Sequence, residues 1–215
     1  MSRAAWVWIV CGLIWCVFFG WYTSFGGPLS DAEIEHYLEQ LAQNNTNADE
    51  SEEVPQARFD QMRRFMEQDT GDDFVMLNVI HMHDTPMQIE GVEPGETSAQ
   101  VLSKYMAYMY PALFSRACHP VMAGSAANLA MDLMNAPGME QWTSGALMRY
   151  RSRRDLLEIA TNPAFQGSHD FKIAAMQKTI AFPLDPWFQL GDPRLLLALL
   201  LGLIASLISW RVQDR

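Results

Sequence analysis

Histidine side chains offer the best candidates for acid–base or metal chemistry in this sequence. His81 and His83 lie two residues apart in the apolar segment that follows Asp73, and residues at that spacing share one face of a β-strand. Two imidazoles on one face are able to bind one metal ion, and His119 and His169 could join them in space. Two other interpretations stay open: His81 or His169 transfers a proton, or all four are ordinary strand-end or helix-surface histidines.

A second candidate is the Cys118–His119 pair, which has the residue types of a nucleophile and its base. Adjacent residues on a strand face opposite ways, so the pair is not expected to act at one point. The other two cysteines, Cys11 and Cys16, lie in the first apolar segment. No disulfide is therefore expected to cross-link the fold.

Asn78, Tyr105 and Trp142 are the candidate ligand-binding residues. Asn78 lies in the middle of an apolar strand pattern, where a buried amide needs hydrogen-bond partners. A structural hydrogen bond explains Asn78 as well as a ligand contact does. If the domain encloses a pocket, these three residues and His81 would supply its polar and aromatic lining. No pattern in the sequence points to a cofactor.

Acidic residues are concentrated in one part of the chain. Residues 30–73 contain 13 acidic residues and three arginines, so this segment has the same net charge, −10, as the whole chain. Nucleic-acid binding requires a basic footprint, and this distribution argues against a nucleic-acid partner. The acidic run Asp69–Asp73 could attract Ca²⁺, but it lacks the spacing of a calcium loop, and a solvated turn is expected.

Basic residues form one cluster at the end of a predicted strand and the start of a helix. A solvated strand end and first helical turn is the favoured interpretation, and an anion-binding site is the alternative. The cluster consists of Arg149, Arg151, Arg153 and Arg154.

The segment from Phe74 to Asp185 has the element order β-α-β-β-α-β, which is typical of a ferredoxin-like α+β domain. The first helix is capped by Thr97 and Gln100, and the second is capped by Ser152 and restarts at Asn162-Pro163. The predicted strands are Phe74–His83, a stretch near Val121–Ala130, Trp142–Tyr150, and a closing strand that ends at Asp185.

The first strand is apolar in both of its alternate rows, which predicts that both faces are covered. Helices of the same chain are expected to cover one face. The second face requires another cover, and the sheet of a second copy is the candidate. The sequence thus predicts a homodimer.

Three parts of this segment resemble a known family: FVMLNVI from Phe74, RYRSRRDLLEIATNPAFQ from Arg149, and TIAFPLD from Thr179. They are similar to the small bacterial domains of unknown function numbered thirteen-thirty, in the dimeric α/β-barrel superfamily. The resemblance implies a homodimer whose two sheets close face to face. Because that superfamily also contains cofactor-free monooxygenases, lactone isomerases and haem-binding enzymes, it does not select a reaction.

Both ends of the chain are strongly apolar. Ala4–Phe25 has about 22 residues without a charge, enough to cross a hydrocarbon core of about 30 Å, and Leu195–Trp210 is shorter but sufficient if its flanking arginines reach the interface. Arg3 and Arg211 flank the outer ends, which predicts a bacterial inner-membrane protein with both termini cytoplasmic and a periplasmic domain. Membrane lipid is therefore an expected partner.

Small residues recur every four positions in each apolar segment, a pattern that lets membrane helices approach closely and predicts that the two stripes face each other, within one chain or across the dimer. The alternative is that such stripes occur by chance in spans that contain glycine and alanine. The stripes are Gly12, Cys16 and Gly20, and Ala198, Gly202 and Ser206.

These features divide the chain into a membrane anchor (residues 1–28), an acidic helical tether (29–73), the ferredoxin-like domain (74–186) and a second membrane helix (187–215). In the tether, Ser30 and Glu33 are expected to cap a helix, and Asn44–Glu53 is expected to be a flexible loop. A second helix is expected to begin near Pro55.

Two functions are compatible with the sequence. The favoured one is a non-catalytic dimerisation or binding module that serves a membrane complex, because the chain has two anchors, an acidic surface and no catalytic motif. The alternative is a small-molecule enzyme of the cofactor-free monooxygenase or isomerase type, with its pocket inside the barrel.

Overall fold

A computed structural model of the chain describes residues 2–46 and 56–213. The chain divides into two compact units, one from Phe25 to Asp185 and one made of the segments up to Ser24 and from Pro186 onward. In chain order the elements are α1 Arg3–Tyr22, α2 Asp31–Thr46, α3 Gln56–Glu67, β1 Phe74–Met82, α4 Ser98–Phe114, β2 His119–Ser125, β3 Ser144–Tyr150, α5 Arg153–Ala160, α6 Pro163–Ala175, β4 Met176–Leu184 and α7 Pro193–Gln213.

The unit from Phe25 to Asp185 contains a four-stranded antiparallel sheet with the strand order β2-β3-β1-β4. With α4 between β1 and β2, and α5 and α6 between β3 and β4, this is the ferredoxin-like α+β arrangement that the sequence predicts. Strand β2 ends at Ser125, before the predicted end near Ala130. The Asn128 side chain accepts a hydrogen bond from the Leu129 N–H, and such local bonds compete with a strand ladder.

Each domain helix begins at a residue whose side chain accepts a hydrogen bond from the backbone. Thr97 and Gln100 form a complete capping box at α4, and Ser152 accepts from the Asp155 N–H at α5. Asn162 caps α6, and Pro163 occupies its first turn, where a missing N–H costs nothing. These caps confirm the predicted helix starts.

The core lies between the sheet and its helices. Phe74 and Tyr150 are paired across β1 and β3 and stack at 5.3 Å between ring centroids, over Met109 and Leu113 of α4 and Ile159 of α5. Since residues two apart in a strand share a face, the even-numbered residues of β1 face this core.

The other face of the sheet, here called the open face, is also apolar. It carries the odd-numbered residues of β1 and their partners, which include half-exposed residues of β4 and a largely exposed methionine of β2. The helices of the core cluster pack on the opposite side. The apolar members of the open face are Leu77, Val79, Leu147, Ile180, Phe182, Leu184 and Met122.

Helices α2 and α3 pack against the domain. Their shared cluster contains Ile34, Tyr37 and Leu38 of α2, Met66 of α3 and Leu157 of α5, all buried. Burial of this apolar surface joins the acidic tether, here called the approach segment and made of α2, α3 and the turn that follows α3, to the sheet and its helices.

The end of α2 lies later than expected. Helix α2 continues to Thr46, so the first residues of the predicted loop Asn44–Glu53 are helical. The Asn44 amide donates to the Thr161 carbonyl, at 3.2 Å, which gives the helix end a partner on the domain. The loop residues from 47 onward lie outside the described residues.

Two arginines of the basic cluster are buried, so the interpretation of the cluster as solvated is wrong for them. The Arg149 side chain is 1% exposed and donates to Asp73, at 2.8 Å, and to the Ala117 carbonyl. Arg153 is also buried, with its Nε 3.7 Å from the Asp69 carboxylate and its planar group 4.6 Å from the centre of the Phe65 ring. A buried guanidinium requires a counter-charge, and the acidic segment supplies it.

The prediction of a solvated turn at Asp69–Asp73 is wrong as well, because Asp69 and Asp73 pair with these buried arginines. Asp69 is buried, and its carboxylate accepts the N–H groups of Leu29 and Gly71, at 2.9 and 3.1 Å. Gly71 has a φ of +83°, a conformation that favours glycine, and a Cβ there would lie 2.5 Å from the Gly27 backbone. The turn is therefore a packed junction between the approach segment and the domain.

The remaining two arginines of the cluster make more exposed pairs. Arg151 binds Asp155, at 2.7 Å, and Arg154 binds Glu33 near the start of α2, at 2.9 Å. Hydrogen bonds from Arg154 and from the Ser30 backbone and hydroxyl lower the pKa of Glu33 to about 2, against its usual 4.5. The structure contains the predicted Ser30–Glu33 cap. This cap and the Arg154–Glu33 ion pair together fix the start of α2.

The second unit contains α1 and α7, and both are long and apolar enough to cross a membrane. Within this unit the Trp15 indole donates to the Arg194 carbonyl, at 2.9 Å, and the Arg194 guanidinium lies 5.4 Å from the centre of the Tyr22 ring. Cys11 and Ala205 are its most enclosed small residues, at 8% and 0% exposure.

Within one chain the predicted contact between the two small-residue stripes is wrong, and a contact across a dimer stays a prediction. A Cβ added at Gly12, Gly20 or Gly202 would meet no atom within 4 Å, so these positions do not lie where the helices touch. The bulky Trp15 and Tyr22 meet Arg194 instead.

We predict that Arg153→Met lowers the free energy of unfolding of the domain by about 3 kcal/mol, because it leaves the Asp69 carboxylate buried without its counter-charge. Pulse proteolysis in urea, on the full chain in detergent, measures the change. Adding Asp69→Asn should recover part of the loss. Arg63→Met, which removes an exposed pair with Glu35, should leave stability nearly unchanged. Equal losses in the Arg63 and Arg153 variants would contradict the importance of the buried pair.

A second prediction concerns pH. Because the folded-state pKa of Glu33 lies below its usual value, its stabilising effect is present above pH 4.5 and is lost as the pH falls towards 2. Glu33→Gln should therefore destabilise the domain at pH 7, by less than about 1 kcal/mol because the pair is partly solvated. The difference from the parent chain should shrink as the pH falls below 4.5, in the same urea experiment. A difference that does not change with pH would show that the charge is not responsible.

Candidate functional site

A groove lies between α3 and the part of the sheet that the core helices leave uncovered. Its volume is about 540 Å³, within the range of about 300 to 1,000 Å³ that small-molecule sites occupy. Met76 of β1 and Pro183 of β4 are paired in the sheet and form part of its floor. This space, here called the α3 groove, is on the helix side of the sheet.

The rim and the floor of the α3 groove differ in chemistry. Its lining includes the exposed side chains of Arg58, Gln61, Arg64 and Gln68, which lie three or four residues apart on α3 and thus share one helix face. Apolar side chains complete the lining, among them Phe65. No aspartate or glutamate lines it in the described part of the chain.

The positive charge of Arg58 also acts on two side chains of α6, His169 and Lys172. Burial and the nearby Lys172 and Arg58 lower the pKa of His169 to about 4, so this imidazole is neutral at pH 7. Burial and Arg58 also lower the pKa of Lys172. The His169 Nδ1 atom is buried and has no hydrogen-bond partner among the described residues.

Tyr105 and His169 are brought together. Their ring centroids are 6.3 Å apart, and the Lys172 ammonium lies 5.9 Å from the centre of the Tyr105 ring. Tyr105 is buried in the core, and burial raises the pKa of its hydroxyl. At neutral pH this arrangement holds a neutral phenol and a neutral imidazole between the helices.

Asn78 is on the same side of the sheet as Met76, and its amide donates to the Met76 carbonyl, at 3.1 Å. A bond to its own strand satisfies one of the amide hydrogens. This contact corresponds to the structural interpretation of Asn78, and a ligand contact stays a proposal.

His81 and Trp142 lie by the open face, away from Asn78 and Tyr105. The Nδ1 atom of His81 is 3.3 Å from the Thr143 hydroxyl, and Lys178, paired with His81 in the sheet, places its ammonium 4.7 Å from the centre of the Trp142 ring. The candidates therefore divide between two sides of the sheet, and one pocket within a single copy does not contain them all.

His83 follows the end of β1. Its backbone N–H donates to Ala175, at 3.0 Å, and its carbonyl accepts from the Ser98 hydroxyl, at 2.6 Å. The pairing register shifts between His81 and Met82, so the alternation that put His81 and His83 on one face is interrupted there. Within residues 2–46 and 56–213, no group of three or more His, Cys, Asp or Glu side chains is close enough to hold a metal ion.

Cys118 is a buried, free thiol in the core. Burial raises its pKa to about 11, so the reactive thiolate is rare at neutral pH. The Arg151 N–H donates to its sulfur, at 3.4 Å, while the neighbouring His119 places Nδ1 3.0 Å from the Pro120 carbonyl. Neither side chain activates the other, as the strand alternation predicts.

The residues of the α3 groove were not among the candidates from the sequence. A signal for them was present, because Arg58, Gln61, Arg64 and Gln68 recur at helical spacing next to the apolar Met62 and Phe65. What the sequence did not contain was the position of α3 over the sheet.

No protein-family model matches the chain, and no curated protein matches it. Among solved structures, methylated RPA0582 has a TM-score of 0.51 at 18% identity, with 66% of this chain and 96% of that chain covered. A second structure of RPA0582, a protein of unknown function from Rhodopseudomonas palustris, has a TM-score of 0.49 at 18% identity, covering 64% and 97%.

Two further structures are less similar. A dimeric protein of unknown function and ferredoxin-like fold from Bacteroides fragilis has a TM-score of 0.32 at 15% identity, covering 53% of this chain and 96% of that chain. SnoaB, a cofactor-independent oxygenase from Streptomyces nogalater, has a TM-score of 0.34 at 11% identity, covering 56% and 99%. At 18% identity the likeness to RPA0582 concerns the fold alone.

Proposed function

We propose that this protein is a membrane-anchored, non-catalytic binding module whose ferredoxin-like domain forms a homodimer through the open face. The apolar open face is the observation that carries the proposal. It exposes 42% of Phe182 and 62% of Met122 beside half-buried Leu77 and Leu147. Apolar side chains contiguous over four strands are the mark of an interaction surface.

A second copy of the same sheet is the occupant that fits this surface. The open face is apolar at its centre, and a charged side chain, Lys178, lies at its edge beside His81 of β1. An apolar patch with a polar rim is the usual anatomy of a protein interface. Two such sheets placed face to face would bury the apolar strands of both copies.

The non-catalytic part of the proposal is supported by the chemistry of the candidate residues. The Cys118 thiol is buried with a raised pKa, and the His169 imidazole is buried with a lowered one. His81 and Tyr105 lie on different sides of the sheet. A nucleophile or an acid–base pair needs two groups within hydrogen-bond reach, and these residues do not supply one.

Membrane anchoring is supported by α1 and α7, and we infer that the domain is periplasmic. Arg3 and Arg211 lie at the outer ends of the two helices, and an excess of arginine marks the cytoplasmic side. The module would then hold a partner of a membrane complex close to the outer surface of the inner membrane.

An enzyme is the second candidate function, and a cluster of polar and aromatic residues at the open face favours it. His81, Thr143, Trp142 and Lys178 lie together there, where a second copy would enclose them. A closed barrel with a free interior would give a monooxygenase or isomerase its pocket, whereas side chains that fill the interior would leave only the binding role.

The dimer is tested with Phe182→Asp, which places a charge in the apolar open face. We expect the parent chain in detergent to have the protein mass of two copies by light scattering, and the variant that of one copy. Met131→Asp is the matched control, because Met131 is 93% exposed in the loop between β2 and β3 and should leave the mass unchanged. A single-copy mass for the parent chain at micromolar concentration would contradict the proposal.

Orientation is tested with single cysteines introduced on the two sides. In cells with a permeabilised outer membrane, a maleimide that cannot cross the inner membrane should label Asp72→Cys, an exposed position of the domain, but not Ser2→Cys at the start of α1. The parent chain measures background labelling, since its own cysteines lie in α1 or in the core. The reverse labelling pattern would place the domain in the cytoplasm.

A further inference from the structure

We propose that the α3 groove is a binding site for a small organic carboxylate with an apolar, preferably aromatic, body. This site lies on the helix side of the sheet, so the inference does not depend on the dimer or on the membrane orientation. It is carried by three features of the groove: its cations, its apolar lining and its size.

The cations of the groove favour an anion. Arg58 and Arg64 both line it, and neither has an ion pair within residues 2–46 and 56–213. Their neighbour Arg63, in contrast, binds Glu35 outside the groove. In a chain whose net charge is −10, a lining whose described residues include two arginines and no carboxylate is a local reversal of charge.

Arginine also favours a particular kind of anion. The guanidinium presents its N–H groups in a planar fork that matches a carboxylate, and it stacks on aromatic faces. Gln61 and Gln68 add amide donors to the same rim. A planar carboxylate can thus accept hydrogen bonds from the rim residues.

The rest of the lining excludes a fully hydrated inorganic ion as the best occupant. Phe65, Met76, Leu156 and Pro183 offer apolar surface beside the rim. A ligand that buries an apolar body against these side chains gains from the hydrophobic effect, which phosphate or sulfate does not. A volume of about 540 Å³ accommodates a molecule with a fused pair of aromatic rings.

The surroundings of the groove support the same assignment. Arg58 contributes to the lowered pKa values of both His169 and Lys172, which shows that its positive charge reaches the groups of α6. An anion bound near Arg58 would reduce this repulsion.

The probe for this site is 2-naphthoate, with the neutral 2-naphthamide as its matched control. Binding is measured by isothermal titration calorimetry on the full chain in nanodiscs of zwitterionic lipid, with empty nanodiscs as the baseline. We expect the chain to bind 2-naphthoate at least about tenfold more tightly than 2-naphthamide, the effect of one charge-assisted hydrogen bond.

Variants locate the binding. Arg58→Gln combined with Arg64→Gln should weaken 2-naphthoate binding about tenfold or more and leave 2-naphthamide binding unchanged. Arg63→Gln removes the same charge from the same helix outside the groove, and it should change affinity less than about twofold. Ala181→Trp, which fills the floor, should abolish binding of both compounds.

Three results would overturn the inference: no 2-naphthoate binding at millimolar concentration, equal affinity for the acid and the amide, or equal losses in the Arg58/Arg64 and Arg63 variants. Inorganic phosphate that binds more tightly than 2-naphthoate would also overturn it. Circular dichroism of each variant separates a loss of binding from a loss of folding. The milder variant Gln61→Ala, which removes one amide from the rim, should still weaken binding of 2-naphthoate.

Discussion

Two buried ion pairs hold the approach segment against the domain, and much of the remaining architecture depends on them. Arg149 lies in β3 and Arg153 begins α5, yet their carboxylate partners, Asp73 and Asp69, come from the turn between α3 and β1. Removing either partner would leave a charge in a low-dielectric interior, which is strongly unfavourable. The turn is therefore fixed at the end of the sheet, and the end of α3 is fixed with it.

The position of α3 in turn creates the α3 groove. The Arg153 guanidinium lies over the Phe65 ring, which meets Phe74 edge to face at 5.6 Å, and Phe74 stacks on Tyr150. This row of planar groups joins α3 to β1 and β3. Because Phe65 also lines the groove, the residues that secure the helix determine the shape of the space beneath it.

Helix caps and the order of the elements could be predicted from the sequence, whereas individual long-range side-chain contacts could not. The caps at Thr97 and Ser152 involve residues three positions apart, and the strand order follows from the β-α-β-β-α-β pattern. The bond between Arg149 and Asp73 joins residues 76 positions apart, a distance at which charge patterns do not identify partners. For the site, His81 and Asn78 were expected to line one pocket, whereas strand alternation puts them on opposite faces of the sheet within one copy, and only the packing of α3 brings Arg58 over the sheet.

The edges of the sheet explain why we propose the open face, and not an edge, as the surface for a second copy. Both edge strands contain a proline, Pro120 in β2 and Pro183 in β4. Proline has no N–H to donate, and on an edge it weakens pairing with a further strand. The two faces of strand β4 have different surroundings. Phe182 lies on the open face, and the adjacent Pro183 lines the α3 groove. A single strand thus contributes to both the proposed apolar interface and the proposed anion site, because its alternate residues serve different sides of the sheet.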